Sequence, residues 1–414
     1  MLRLDTTQTT TPLPAVRPGF VAAYMAAQVG AYIAFIPLLT ILLPLKAAAI
    51  DPAGRAEVLS QAALWGAMTA GLAGVVAGMI GDRTRHWPGG RSLWLIGGLI
   101  GTVLSYGLIY QASTLTSLIA AIVALQISLN FMLNPLAAVL PERVPAHQRG
   151  MVAGFTGLAY PLSNLFGAVV IGLWLTAETD RLVAVVAVTV AMVLPFITAI
   201  IRTTAHHAGR IDRSVSLSAL ADRDFLLAFA SRLLVQTAVA MNVLYLLFFL
   251  DQETNVARVL PSVRIEVVAG GLLIVSTALA VVAGLVGGRL SDRIGQRRRI
   301  VFAGAALLAA GALLMAIAPQ WPGPLVAQAA FGIGVGLYGI TEAVLAAEVL
   351  PSTRDAGRDL GLLNVASTGA QMLAPSVALA ALSWVGEDLQ LVYLAGSALA
   401  LMGGSLVLAL RRVH

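Results

Sequence analysis

Gly288-Arg289-Leu290-Ser291-Asp292-Arg293-Ile294-Gly295-Gln296-Arg297-Arg298 closes a long apolar run. A reduced copy, Gly78-Met79-Ile80-Gly81-Asp82-Arg83-Thr84-Arg85, closes another, and the two acids are 292 − 82 = 210 residues apart. Leu140-Pro141 and Leu350-Pro351 keep the same offset, 351 − 141 = 210. In a chain of 414 residues this is about half the length, so the sequence reads as two copies of one unit.

Composition says where those copies live. Apolar residues make up 58 % of the chain, charged residues only 11 %, and the mean hydropathy is +0.88. Soluble domains have roughly 45–50 % apolar and about 25 % charged residues. A membrane-crossing helix needs about 20 mostly apolar residues. Twelve such runs lie near 19–45, 59–81, 92–112, 116–140, 150–173, 182–202, 225–250, 266–288, 299–318, 324–347, 360–384 and 391–410. They are long and lack the alternation of barrel strands, so helices are expected. The fold class is therefore all-α integral membrane, with twelve transmembrane helices in two pseudo-symmetric six-helix bundles, 19–202 and 225–410. A tail over 1–18, a linker over 203–224 and a short tail over 411–414 complete the chain.

The net charge of +6 is unevenly placed. With the N-terminus inside, 20 of the 26 Lys and Arg fall on cytoplasmic segments, and Lys46, Arg55, Arg181, Arg258 and Arg264 fall outside. This asymmetry predicts a multi-pass protein of the cytoplasmic membrane with both termini inside. The basic balance suits anionic lipid, and no Lys/Arg run interleaved with aromatics points to nucleic acid. The polar start lacks a cleavable signal, so the first helix is expected to direct insertion.

Enzyme chemistry has little to stand on. There is no cysteine, no phosphate loop, and no His in any apolar run to activate Ser163 or Ser231. His206 and His207 in the linker have no further ligands nearby, so no metal or other cofactor is expected.

Polar groups inside the runs are few and grouped. Every third run is almost wholly apolar and fit to face lipid, while the others carry amides, Tyr or charge. Tyr24, Gln28 and Tyr32 form one stripe at i, i+4, i+8, and Gln126, Asn130 and Asn134 form another. Asn242, Tyr245, Tyr338, Asn364 and Gln371 add to them. Amides and rings together suit a hydroxylated solute in a lined cavity; the alternative is hydrogen bonding between helices. Arg232 and Glu342 are the two ionisable groups well inside the runs. Each sits on the order of 10 Å from the cytoplasmic end at 1.5 Å per residue, so an ion pair is expected. It either exchanges a proton or Na⁺ through Glu342, or only orients helices. Pro37, Pro135, Pro161, Pro195 and Pro375 predict kinks around such a cavity.

The loop pattern G-x-x-x-D-R-x-G-x-R-R after the second and eighth runs resembles the signature of the major facilitator superfamily, and the likeness extends over the whole chain. Gly288, Asp292, Arg293, Gly295 and Arg297 match in the second copy; Gly78, Asp82 and Arg83 survive in the first. The resemblance implies an interdomain latch that breaks and reforms as access alternates. It sets Asp82 at the start of the eleventh helix and Asp292 at the start of the fifth, beside Arg358 and Arg149 respectively. Gly361-Leu362-Leu363-Asn364-Val365-Ala366 is similar to a pattern of sugar–cation symporters, whereas the fifth run lacks the Gly-Pro pair of drug/proton antiporters. The expected function is secondary active transport of a small organic solute, sugar-like by preference, coupled to H⁺ or Na⁺, by a monomer in contact with lipid. An exporter of amphiphilic compounds is the rival within transport. A non-transporting assembly factor or sensor is the rival outside it.

Overall fold

The computed structural model describes residues 15–84, 87, 90–201, 222–348, 356–385 and 388–411. The N-terminal tail, the linker core with His206 and His207, and the final residues lie outside the described residues. So do the side chains of Asp82, Arg149, Asp292, Arg358 and Asn364. Among the described residues there are helices and no strand.

Twelve long helices follow in sequence. They are α1 (Pro18–Ile50), α2 (Arg55–Thr84), α3 (Arg91–Gln111), α4 (Leu115–Arg143), α5 (146–174) and α6 (Glu178–Ile201), then α7 (Arg223–Gln252), α8 (Ile265–Ile294), α9 (Arg297–Ile317), α10 (Gly323–Glu348), α11 (Ala356–Val385) and α12 (Leu389–Leu408). Among the described residues eleven of them are long and apolar enough to cross a membrane, and α10 holds the tenth place between α9 and α11. The direction alternates, so one face of the bundle carries the ends nearest both termini and the opposite, far face carries the 50–55, 111–115, 174–178 and 252–265 connections.

Local chemistry sets the ends. Thr114 and Ser117 form a capping box that opens α4. Asp222 accepts from Phe225 N at α7, and Asp388 accepts from Gln390 N at α12. Gly295, at φ +68, lies just past α8 in the left-handed conformation that closes a helix. The glycine of the repeated motif is thus a helix stop.

Two of the five predicted proline sites coincide with broken helices. Pro37 has no N–H to give, and α1 passes there from Pro18–Ile33 through a π-helical turn, Leu38–Leu42, into Leu43–Ile50. Near Pro161, α5 breaks at Leu158 between Ala146–Gly157 and Ala159–Phe166, then ends as the π-helical stretch Gly167–Trp174. Pro135, Pro195 and Pro375 sit inside helices assigned without interruption.

Packing reproduces the 210-residue repeat. In the first half α1 packs on α6, α2 on α4, and α3 on both α4 and α6; in the second α7 packs on α12, α8 on α10, and α9 on both α10 and α12. The halves meet through α2 against α11 and α5 against α8, two contacts related by the same repeat. Exposed apolar residues occupy every third helix, as Leu104 on α3 and Ile317 on α9 show, but also α2 (Leu72, Val75) and α8 (Val282, Leu285). A helix wedged between the halves still keeps one free stripe, so the rhythm of polar residues understates the exposed surface.

Candidate functional site

Two polar stripes and five further polar residues were expected to line one cavity, and the structure separates them. On α1, Tyr24 is buried between helices. Its hydroxyl donates to the Leu136 carbonyl at 2.8 Å and its ring lies 5.5 Å from that of Phe196. Gln28 Nε2 donates to the Tyr24 hydroxyl at 3.1 Å. Tyr32, one turn on, is half-buried and meets Tyr160 of α5 edge-on at 6.3 Å. The stripe therefore divides: its first member ties helices together, and its last faces α5.

The α4 stripe lies along a row of small residues on α2. A Cβ added at Gly66 would approach Gln126 Nε2 at 3.7 Å. One at Gly74 would meet Asn130 Oδ1 at 3.1 Å, and one at Gly78 would come within 3.7 Å of Asn134 Oδ1. The amides of Asn130 and Asn134 donate to carbonyls of their own helix, Gln126 O at 2.8 Å and Asn130 O at 3.1 Å. Gly66, Gly74 and Gly78 let α4 sit close, which is how small residues act in membrane bundles. Gly78 of the loop motif shares in this contact.

Asn242 on α7 pairs reciprocally with Gln328 on α10, Nε2 of Gln328 donating to Oδ1 at 2.6 Å and Nδ2 of Asn242 to Oε1 at 3.4 Å. Both are buried. Gln328 is absent from the expected set; it is one amide in an alanine-rich run with no partner at helical spacing. Tyr245 is fully buried and its hydroxyl bonds the Ser60 hydroxyl of α2, in the other half. Gln371 is half-buried on α11. Arg83 and Arg293 are exposed at the near face, and Gly288 and Arg297 are partly buried there.

The two intramembrane charges come together. Arg232 Nη1 lies 3.6 Å from Glu342 Oε1, with the Arg side chain 18 % and the Glu side chain 6 % exposed. Arg232 lies nine residues into α7 and Glu342 six residues before the end of α10, about 14 and 9 Å from the near face. Arg232 Nε also donates to Ser367 Oγ on α11 at 3.1 Å. Ser231 and Tyr338 exchange a hydroxyl contact at 3.4 Å, fixing α7 on α10 beside the pair.

Polar contacts tie the halves together from the far face to mid-bundle. Arg55 of α2 reaches Asp251 of α7 at 2.5 Å and lies 5.2 Å from the Phe248 ring centroid. With the Gln252 amide oxygen turned inward, Arg55 Nε and Nη2 donate to it at 2.7 and 3.0 Å. Arg264, just before α8, donates to the carbonyls of Leu173 at 3.1 Å and Gly172 at 3.3 Å, groups left open where α5 ends. Arg181 approaches Glu266 at 3.6 Å. Deeper in, Asn164 Nδ2 donates to Thr277 Oγ1 at 2.7 Å.

The site is thus a duplicated bundle with ion pairs between its halves at the far face and a buried Arg232–Glu342 pair in the second half. Residues 240–414 match the family model of the Major Facilitator Superfamily. No curated protein matches the chain in sequence. The fold is shared with the nucleoside transporter NupG, at 13 % identity over 94 % of this chain and 98 % of that one, TM-score 0.72. A bacterial homologue of the human lysosomal transporter Spinster, in an inward-facing and occupied conformation, aligns over 97 % and 98 % at 15 % identity, TM-score 0.70. A peptide transporter, POT, aligns over 96 % of both chains at 9 % identity, TM-score 0.74. The family-model match lies in the second half of the chain, and the likeness to these solved structures is one of fold.

Proposed function

We propose that this chain is a secondary transporter in which the two halves rock about a central solute path, and that Glu342 is the group that takes up and releases the coupling proton. The observation that carries the reading is the Arg232–Glu342 pair, a carboxylate with 6 % exposure whose charged partner among the described residues is 3.6 Å away. An opposite charge at this range favours the ionised acid, and moving that charge away favours the protonated one. Rearrangement of a few tenths of an ångström to an ångström therefore changes proton affinity, which is the elementary requirement of coupling. Na⁺ at the same carboxylate is the second candidate for the driving ion.

The solute we propose is a small hydroxylated organic molecule. Tyr32, Tyr160, Gln28 and Gln371 are polar side chains that are not fully buried, on α1, α5 and α11; rings stack on sugar faces while amides bond hydroxyls. The likeness in fold to a nucleoside transporter is in keeping with a solute of this kind. Placement in the cytoplasmic membrane with both termini inside follows from the distribution of Arg and Lys.

The test is transport by the full chain in liposomes. Sugars, nucleosides and amphiphilic drugs are first screened for thermal stabilisation, since a ligand that binds the folded state raises its melting temperature. Accumulation of the stabilising solute is then followed under an imposed inward proton gradient. Glu342→Gln is expected to abolish uphill accumulation while leaving exchange of labelled for unlabelled solute. Uphill uptake by that variant with unchanged pH dependence removes the coupling role; binding without any flux supports the non-transporting alternative; stabilisation confined to amphiphilic drugs supports the exporter.

A further inference from the structure

We propose that Ser367 on α11 holds the Arg232–Glu342 pair partly open, so that the position of α11 sets how firmly Arg232 grips the carboxylate. The inference rests on the coupling role proposed for Glu342. A charge-assisted N–H···O bond is typically 2.7–2.9 Å long. Arg232 Nη1 stops at 3.6 Å from Glu342 Oε1, and that buried oxygen has no hydrogen-bond partner among the described residues. The same guanidinium spends its Nε on Ser367 Oγ at 3.1 Å. One planar fork is thus shared between a carboxylate on α10 and a hydroxyl on α11, and it satisfies the hydroxyl at the expense of the carboxylate.

The three helices are not held equally. Ser231–Tyr338 and Asn242–Gln328 fix α7 against α10 at two levels, so Arg232 and Glu342 belong to one body. Helix α11 packs on α7, where Leu233 Cδ1 lies 3.2 Å from the site of a Cβ at Gly369, and also on α2 across the seam, where Met372 Sδ lies 3.9 Å from the corresponding site at Gly71. Ser367 is five residues from Met372, about 7.5 Å along the helix. A displacement of α11 driven from α2 therefore reaches Ser367 directly. Withdrawing the hydroxyl frees Nε, and Nη1 then closes by about 0.8 Å onto Oε1. The charged or titratable groups that face Glu342 among the described residues are Arg232 from α7 and Tyr338 from its own helix; α11 contributes the hydroxyl of Ser367. Ser367 is a positioning residue, acting through Arg232.

The experiment needs no solute. The carboxyl C=O stretch of the purified full chain is titrated by difference infrared spectroscopy, and the component lost in Glu342→Gln is assigned to Glu342. In Ser367→Ala the freed guanidinium closes on the acid, and the midpoint is expected about one pH unit lower, a tenfold weaker hold on the proton. Ser367→Thr keeps the hydroxyl and should titrate as the parent does, which separates positioning from loss of packing. In an Arg232→Lys background the single ammonium cannot bridge both partners, so adding Ser367→Ala should move nothing further. A Ser367→Ala midpoint equal to or above the parent's, with Glu342 still titrating, overturns the positioning role alone. If Glu342→Gln removes no titrating band, the coupling reading falls and this inference falls with it.

Discussion

Removing Arg55 should release the far face. The guanidinium makes three contacts with α7: the ion pair to Asp251 at 2.5 Å, the face of Phe248 at 5.2 Å, and the Gln252 amide. Asp251 is 40 % exposed, so the pair is screened and contributes about 0.5–1 kcal/mol. The cation–π contact adds roughly 0.5–1 kcal/mol at a partly exposed site, and the neutral amide bonds about 1 kcal/mol. These overlap, and a net of about 2 kcal/mol is a reasonable sum. At 1.4 kcal/mol per decade, Arg55→Ala shifts the odds of far-face opening by roughly 30-fold. The chain contains no cysteine, so spin labels go directly onto Ala53→Cys and Ala257→Cys, exposed positions of opposite halves. Pulsed electron–electron distance measurements then read closed and open populations. The longer distance should gain the 30-fold in odds, and high salt, which cuts the Debye length to about 3 Å at 1 M, should shift the parent more than the variant. Identical distance distributions in parent and Arg55→Ala would refute the idea that this contact holds the halves together.

Other consequences concern packing and burial. Asn242→Leu strands the amide of fully buried Gln328; thermal unfolding should show a loss of about 2–3 kcal/mol, and the double change with Gln328→Leu should recover most of it. Tyr393 is buried and its hydroxyl has no partner among the described residues, so Tyr393→Phe should raise stability by about 1 kcal/mol or more. Neighbouring glycines of α3 should respond oppositely to the same substitution. Nothing lies within 4 Å of a Cβ at Gly97, and Gly97→Ala should gain up to about 1 kcal/mol in helix propensity. A Cβ at Gly98 would sit 2.7 Å from Met132 N and 2.8 Å from Ser128 O, backbone that cannot swing aside, so Gly98→Ala should lose about 1–3 kcal/mol.

What the sequence made legible follows from what was scarce in it. Charges inside apolar runs are rare enough that Arg232 and Glu342 could be matched by depth alone, and they lie 3.6 Å apart. The duplication was equally plain, because Asp82 and Asp292 end runs of the same length. The far-face clasp was not legible. Arg55, Arg181, Arg264, Asp251 and Glu266 stand at helix ends, where charge is ordinary, and only the tertiary fold shows that they meet across the seam. For the α4 amides, spacing gave the stripe but not the surface it meets; Gly66, Gly74 and Gly78 on α2, at multiples of four, were the overlooked sign. The breaks in α1 and α5 fall at and near predicted proline sites, Pro37 and Pro161, whereas α4, α6 and α11 run as continuous helices past Pro135, Pro195 and Pro375. A proline within a span costs one backbone bond, and whether the helix bends depends on neighbours the local sequence does not name.

The repeat itself shows why the halves differ in chemistry while sharing a topology. Moving back by 210 residues carries Glu342 to 132 and Arg232 to 22. Those positions hold Met132, fully buried, and Ala22, exposed. Met132 is also the residue whose backbone nitrogen Gly98 of α3 approaches, so the place of the carboxylate in one half is a tight apolar contact in the other. A single carboxylate there would have no cation to meet and would be costly in hydrocarbon, so the pair had to be present as both members or as neither. The first half has neither. It offers instead Tyr32 and Tyr160 on α1 and α5 and the ionic end of α2 at the far face. The division leaves α11 as the element that joins the two functions. It packs on α2 of the first half and bonds Arg232 of the second, so a shift of α2 against α11 is carried to the buried pair.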